Sequence, residues 1–445
     1  MIPAGSALFT DFYELTMAQA YLSEGLADAW ATFSLYIREL PPTRNYAIAC
    51  GIEDALTHLE NLHFTASDID YLRSHHAFSE DLLACLRRLR FEGDVYAVPE
   101  GTAVFPGEPI LEVEAPIIQG QIVETYLMNT VTAQTTLASK AARMVTAAAG
   151  RPLFDFGLRR GHGGEGGVRA ARAQYIAGID ATSNVLAGKL YGVPVSGTMA
   201  HSYVQAHDSE RDAFCAFLKS YPEAILLVDT YDSIAGVRRV TELARQLGDD
   251  FRARGIRLDS GDHDALSRQA RQILDDAGLA HMTIVASGGL DETAMERLLA
   301  AGAPIDGFGV GSALSAVTDA PTLDTAYKLT EMKGAGRMKL SAGKRTLPGR
   351  KQVIRRRERG IAAEDVLARA GEPLPGEPQI EQVMSEGERV CQRHGHIAAA
   401  RERCRRQIET LPAHIRALAP ADPPYPISIS PALLQLSGQI AATLR

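Results

Sequence analysis

"GIRLDSGDHDALSRQARQILDDAGLAHMTIVASGG", residues 255–289, sets the fold class. It opens on a short apolar piece around Ile256 and Leu258 and stops at "DSGD" (259–262). A helix-like stretch, "DALSRQARQILDDAG", follows at 264–278. A second apolar piece, "MTIVA", then ends in Ser287, Gly288 and Gly289. Strand, turn, helix and strand in this order form the parallel β/α unit.

The same order recurs on both sides. "PLFDFGLRR" (152–160), "PVSGTMAH" (194–201), "AILLVDTYDS" (224–233) and "IDGFGVGS" (305–312) are apolar pieces that end in Asp, Arg, His, Ser or Gly. Helix-like spacers such as "SIAGVRRVTELARQLG" (233–248) separate them. In a β/α barrel the site is built at the strand ends. Polar strand ends in succession therefore point to one shared cleft.

The flanks read differently. Residues 11–25 have Leu15, Ala18 and Leu22 at helical spacing, with Gly25 as a stop. "AWATFSLYIREL" (29–40) alternates as a strand, and 51–64 and 78–91 are helix-like. Residues 93–117 are short apolar pieces broken by Gly and Pro, the pattern of a small β-rich unit. A long helical stretch starts near 121. Beyond 333 the composition turns basic, then Pro/Gly-rich at 370–379. A helical tail is expected around 378–408, and a rigid extended segment at 418–431. The expected division is an N-terminal α/β domain at 1–120, a catalytic β/α barrel at 121–332, and a basic segment with a helical extension at 333–445.

Bulk composition narrows the function. Hydrophobic residues make up 46% of the 445-residue chain and charged residues 22%, an ordinary globular balance. The formal net charge is −8, whereas a nucleic-acid binder is more often basic. The cysteines at 50, 85, 215, 391 and 404 include no C-x-x-C pair, so neither a disulfide framework nor a zinc signature is read. No basic-then-apolar leader opens the sequence, and no apolar run reaches the ~20 residues that span a bilayer. A soluble cytoplasmic protein with reduced thiols is expected, without nucleic acid or membrane as partner.

Each motif carries a functional and a bland reading. Gly309, Gly311 and Ser312, one β/α unit after Ser287, Gly288 and Gly289, would let backbone N–H groups approach a phosphate; otherwise they are two tight turns. Asp229 and Asp259 at strand ends would order a sugar diol or a Mg²⁺ shell. Asp232 and Ser233 read as helix caps. Phe156 would stack on a flat ring, with Arg159 and Arg160 suited to forked recognition of an anion; otherwise it is a core Phe beside exposed arginines. "GHGGEGG" (161–167) reads as a mobile loop around His162. His201 is either chemical or a hydrogen-bonded core histidine. His207 reads as the approach to a helix capped by Ser209, with Asp212 three residues on. Ten Lys/Arg against one Glu between Arg337 and Arg359 leave a solvated surface, a phosphate clamp and a nucleic-acid patch open.

Taken in order, "LFTDFYELTMAQAY", "FDFGLRR", "TSNVLAG", "GTMAHSYV", "DTYDS", "RLDSGD", "SGGLDE", "GVGS" and "KLSAGKRTLPGRKQVIR" resemble nicotinate phosphoribosyltransferase over roughly residues 6–360. The resemblance implies a type II phosphoribosyltransferase fold: an irregular β/α barrel plus a split α/β N-terminal domain. It implies nicotinate mononucleotide and pyrophosphate formed from nicotinate and phosphoribosyl pyrophosphate, with ATP hydrolysis coupled through a phosphohistidine at His201. Mg²⁺ is implied with ATP. Tyr13, from the other subunit of a homodimer, and Phe156 would sandwich the pyridine ring. The active site would then lie at the subunit interface. Arg159 and Arg257 would engage substrate anions; Ser287, Gly288, Gly289, Gly311 and Ser312 would hold the 5′-phosphate. Asp229 and Asp259 would serve the ribose and Mg²⁺. Thr182 and Ser183, with Asn184, stand where nicotinamide-using relatives keep an acidic residue, which suits a carboxylate substrate. The nicotinamide and quinolinate versions of the same transfer are the alternatives.

Overall fold

Six short strands in the middle of the chain run parallel in one sheet. Their order is Ala181–Thr182, Leu153–Asp155, Gly307–Val310, Thr283–Ser287, Gly255–Leu258 and Ile225–Leu227. The computed structural model describes residues 5–341, 346–390 and 396–444. They divide into two compact units, Lys140–Pro321 and Met1–Ser139 with Thr322–Arg445.

In the Lys140–Pro321 unit three of the strands end in a turn whose Asp caps the next helix. Asp232 accepts from Ala235 N at 2.7 Å, Asp262 from Ala265 N at 3.2 Å and Asp291 from Ala294 N at 2.7 Å. The helices begun there are Ser233–Leu247, His263–Asp276 and Glu292–Ala300. Ser233 is thus the first helical residue and not a cap. Leu226, Leu227, Ile256, Leu258 and Ile284 share one buried cluster with Phe214, Val240 and Leu274. This is the expected alternation of buried parallel strands and amphipathic helices.

Two segments depart from expectation. "PVSGTMAH" is not a strand of the sheet. Ser196 N donates to Thr182 O at 3.0 Å, and Thr182 N to Pro194 O at 2.9 Å. The Thr198 hydroxyl bonds Ile225 O. The segment is therefore pinned to both edge strands of a curled sheet that does not close. "GHGGEGG" is not a free loop either, because the helix Gly163–Ile176 begins within it. A Cβ on Gly167 would come within 2.7 Å of Leu158 Cδ1, so the glycine permits close packing.

The other unit is built on a seven-stranded antiparallel sheet. Trp30–Glu39 lies between Asp324–Met332 and Pro109–Pro116, so chain from both ends of the sequence meets in one sheet. The helical tail is corrected by the structure. Glu381–Ser385 is a strand paired with Asp94–Ala97, and among the described residues of that stretch only Ile397–Glu409 is helical.

The basic run is largely neutralised within this unit. Lys351 sits 3.0 Å from Glu112 with both buried. Arg355 makes a forked contact with Asp365 at 2.9 and 2.6 Å, and Tyr425 Oη donates to the same carboxylate at 2.9 Å. Arg356 pairs with Glu364 and Arg357 with Glu377. Glu108 is held well above the usual carboxylate range, by burial first and by Asp365 next. Lys344 and Arg345 lie outside the described residues. No helix among the described residues is long and apolar enough to cross a membrane.

Candidate active site

The C-terminal ends of the parallel strands open on one cleft of about 800 Å³. Phe156, Arg159, Ser183, Arg257, Asp259, Ser287, Gly288, Gly289, Gly311 and Ser312 line it together. These are most of the residues singled out from the sequence. Arg160, Gly197, Thr198, Gly309 and Asp291 line it as well.

A chain of polar contacts crosses three adjacent strand ends. Asp259 N donates to Asp229 Oδ2 at 2.9 Å, and Ser260 Oγ donates to the same oxygen at 2.6 Å. Ser287 Oγ donates to Asp259 Oδ1. Asp259 Oδ2 faces His201 Nε2 at 3.5 Å, and His201 Nδ1 lies 3.2 Å from the Thr230 hydroxyl. The His201 side chain keeps 40% of its surface exposed. It opens the short helix His201–Gln205 and is not a core histidine. His207 instead bonds Tyr203 O at 2.9 Å, beyond the cleft.

Gly288 allows the phosphate-type turn to form. Its φ is +88°, and a Cβ there would lie 1.7 Å from Asp259 O. No L side chain fits, so the turn and the Asp259 backbone are locked together. Arg257 Nη2 donates to Met199 O at 3.2 Å, while its buried Nε has no protein partner. Burial pulls its guanidinium below the ordinary range, and Asp259 and Asp229 oppose this. A buried donor without a partner carries a desolvation cost that a bound anion would remove.

Asp229 retains one buried carboxylate oxygen, Oδ1, without a protein partner. Among the described residues no group of three or more His, Cys, Asp or Glu side chains could hold a metal ion. Asp229 and Asp259 stand at adjacent strand ends, joined through Asp259 N and Asp229 Oδ2.

Comparison with known proteins identifies the family. Residues 8–132 match the nicotinate phosphoribosyltransferase (NAPRTase) N-terminal domain, and residues 152–362 match the nicotinate phosphoribosyltransferase (NAPRTase) family. The chain belongs to the nicotinate phosphoribosyltransferase family.

Among its relatives, the nicotinate phosphoribosyltransferase pncB2 of Mycobacterium tuberculosis is 50% identical over 95% of this chain and 91% of its own. The nicotinate phosphoribosyltransferase of Bacillus subtilis is 42% identical over 78% of this chain and 73% of its own. The crystal structure of human nicotinic acid phosphoribosyltransferase superposes with a TM-score of 0.85 at 29% identity, covering 97% of this chain and 99% of that one. The nicotinate phosphoribosyltransferase fold, with its irregular β/α half-barrel and split second unit, is the fold seen here.

Of the residues expected at the site, His201 and Asp229 touch Asp259 without lining the cleft, and Thr182 and Tyr13 do not line it either. Thr182 is only 1% exposed. Its hydroxyl donates to Asp155 Oδ2 at 2.6 Å and accepts from Asn184 N at 3.1 Å, so it supports the cleft from beneath. Asn184 caps the helix Val185–Tyr191. Tyr13 belongs to the other compact unit, where it is 46% exposed. Burial first, then the charge of Glu124 and Glu14, raises its phenol, which bonds Glu124. Its neighbour Glu14 is pushed up to about 7, chiefly by burial. Sequence reading passed over Thr230 and Asp155. Both lay inside quoted motifs, but neither showed its partner, since those contacts join segments 27 and 29 positions apart.

Proposed function

We propose that the chain transfers the phosphoribosyl group of phosphoribosyl pyrophosphate to nicotinate, and drives the transfer with ATP through a phosphoryl group on His201. The observation that carries this reading is the row His201, Asp259 and Asp229, set beside the Gly288 turn at neighbouring strand ends. The pyridine nitrogen attacks the anomeric carbon as the bond to pyrophosphate breaks, and pyrophosphate leaves with its electron pair. No protein nucleophile is needed for that step. The chain's contribution is positioning and charge stabilisation.

Phe156 supplies a flat face for the ring, and Arg257 offers the unpaired Nε to an anionic group. The backbone at Gly288, Gly289, Gly311 and Ser312 lines the cleft where a 5′-phosphate would rest. Asp229 and Asp259 would hold a Mg²⁺ arriving with the pyrophosphate, which would offset the leaving group's charge. Ser183 and the capping Asn184 put no carboxylate at 182–184, and Asp180 is turned to Leu153 N at 2.9 Å. This favours nicotinate over its amide. The half-exposed Tyr13 fits a second copy of the chain covering the ring, in a homodimer. Among the described residues Cys50, Cys85, Cys215 and Cys404 are not in disulfides, which fits a reducing cytoplasm; Cys391 lies outside them.

On His201 an imidazole nitrogen attacks the γ-phosphorus of ATP, the bridging P–O bond breaks, and ADP departs. Thr230 and Asp259 fix the ring's orientation for this step. Incubation with γ-labelled ATP is expected to give an acid-labile, base-stable label on the protein. His201→Asn should abolish the label and make pyrophosphate release from nicotinate indifferent to ATP. A label retained in that variant assigns the phosphoryl group elsewhere. Pyrophosphate release faster with nicotinamide than with nicotinate overturns the substrate assignment.

A further inference from the structure

The Phe156 ring sits where it does because residue 309 has no side chain. A Cβ built on Gly309 would lie 2.5 Å from Phe156 Cε2 and 2.7 Å from Cδ2, against 3.1 Å from Ser287 Cβ. Ordinary contact begins near 3.4 Å, so the ring would have to lift by about 1 Å. Gly309 has no left-handed φ to explain it, unlike Gly288. It lies inside the strand Gly307–Val310, in register with Ser287 and Phe154. A glycine inside a strand weakens it and marks a close approach of other atoms. Here the approaching atoms belong to an aromatic ring.

The rest of the ring's setting is rigid. Phe156 N donates to Val310 O at 2.7 Å, and Gly157 N donates to Asp155 Oδ1 at 2.7 Å. The Arg257 guanidinium lies 5.7 Å from the ring centre. The backbone that carries the ring is thus fixed, so an added methyl group at 309 has to be met by movement of the ring itself.

We propose that Gly309 is a specificity-determining residue. Its missing side chain sets the depth of the Phe156 ring, and so the thickness of aromatic substrate the cleft accepts. The inference rests on the reading of Phe156 as the stacking face for the pyridine. Gly309 does not act on the reacting atoms; it is a positioning residue working through Phe156.

The test is a double-mutant cycle on the full chain with steady-state kinetics for nicotinate and phosphoribosyl pyrophosphate. Gly309→Ala should raise KM for nicotinate about tenfold, with kcat changed less than about threefold and KM for phosphoribosyl pyrophosphate unchanged. In a Phe156→Leu background, which removes the ring atoms, Gly309→Ala should add less than about twofold. An equal cost in both backgrounds, or no cost in either, overturns the proposal. Should Gly309→Ala alone fail to fold, recovery in the double variant supports it. Failure of both assigns the glycine to Ser287 and the strand, and overturns it. If Phe156→Leu leaves KM for nicotinate unchanged, the stacking reading itself falls, a result distinct from additivity.

Discussion

Gly288 shows how much can depend on one hydrogen atom in place of a methyl group. Its φ of +88° and the 1.7 Å approach to Asp259 O leave no room for Ala. Gly288→Ala is expected to displace the Asp259 backbone, whose N–H is bonded to Asp229. Because that chain of contacts ends at His201, the expected loss is at least about a hundredfold in kcat/KM for phosphoribosyl pyrophosphate, with thermal melting lowered by several degrees. Gly289, with φ +67° and open space around its Cα, should tolerate Ala better; its cost is conformational alone. Parallel kinetics on the two variants check the contrast. At this scale the sequence was legible where a residue's position follows from a strand end, as at Asp259, which the structure places in the cleft. It was silent where function depends on a partner from another strand. The resemblance alone places Thr182 at the site, and its hydroxyl turns inward to Asp155, 27 positions away.

The elements that carry the cleft were readable because their signals are local. Strands of buried Ile, Leu and Val were followed at once by Asp caps, and the helices after them have one apolar face. The hairpin Lys351–Glu358 with Ile361–Arg369 was not readable in the same way. Its arginines stood out as an unbroken positive run, but their carboxylates lie across the hairpin or far off in the chain. Lys351 meets Glu112, 239 positions away. Arg355 is 1% exposed and shares Asp365, itself fully buried. Removing one partner strands the other charge, which costs on the order of 3–5 kcal/mol. Arg355→Leu should therefore lower the unfolding free energy of its unit by that order, read as a lower urea midpoint. Asp365→Asn keeps an acceptor for Tyr425 but leaves the buried Arg355 charge unpaired, so its cost should be of the same order. Equal midpoints for Arg355→Leu and the parent chain would show that the ion pair contributes nothing.

At the scale of the whole molecule, the segment Thr322–Arg445 is part of the first unit and not an extension of the second. Val353, Leu367, Ile380, Val383, Met384 and Leu433 share one buried cluster with Leu35, Ile52 and Val113. A chain cut after residue 350 loses these contacts. It should lose protease resistance in residues 5–139, while residues 140–321 keep theirs, as limited proteolysis read by mass spectrometry would show. Composition marked 333–445 as different and so hid this, since a change of charge along the sequence does not say where the chain goes in space.

The interrupted layout also has a consequence for biogenesis. The unit of residues 140–321 is complete as soon as its own segment has left the ribosome. The first 139 residues are not, because their sheet lacks Asp324–Met332 and their core lacks the hairpin that follows. At about 5–20 residues per second, the intervening segment takes roughly ten to forty seconds to synthesise. Throughout that interval the edge of Trp30–Glu39 that later pairs with Asp324–Met332 stays open on the nascent chain, and holding it for a chaperone's attention is the cost of building one unit from both ends of a polypeptide.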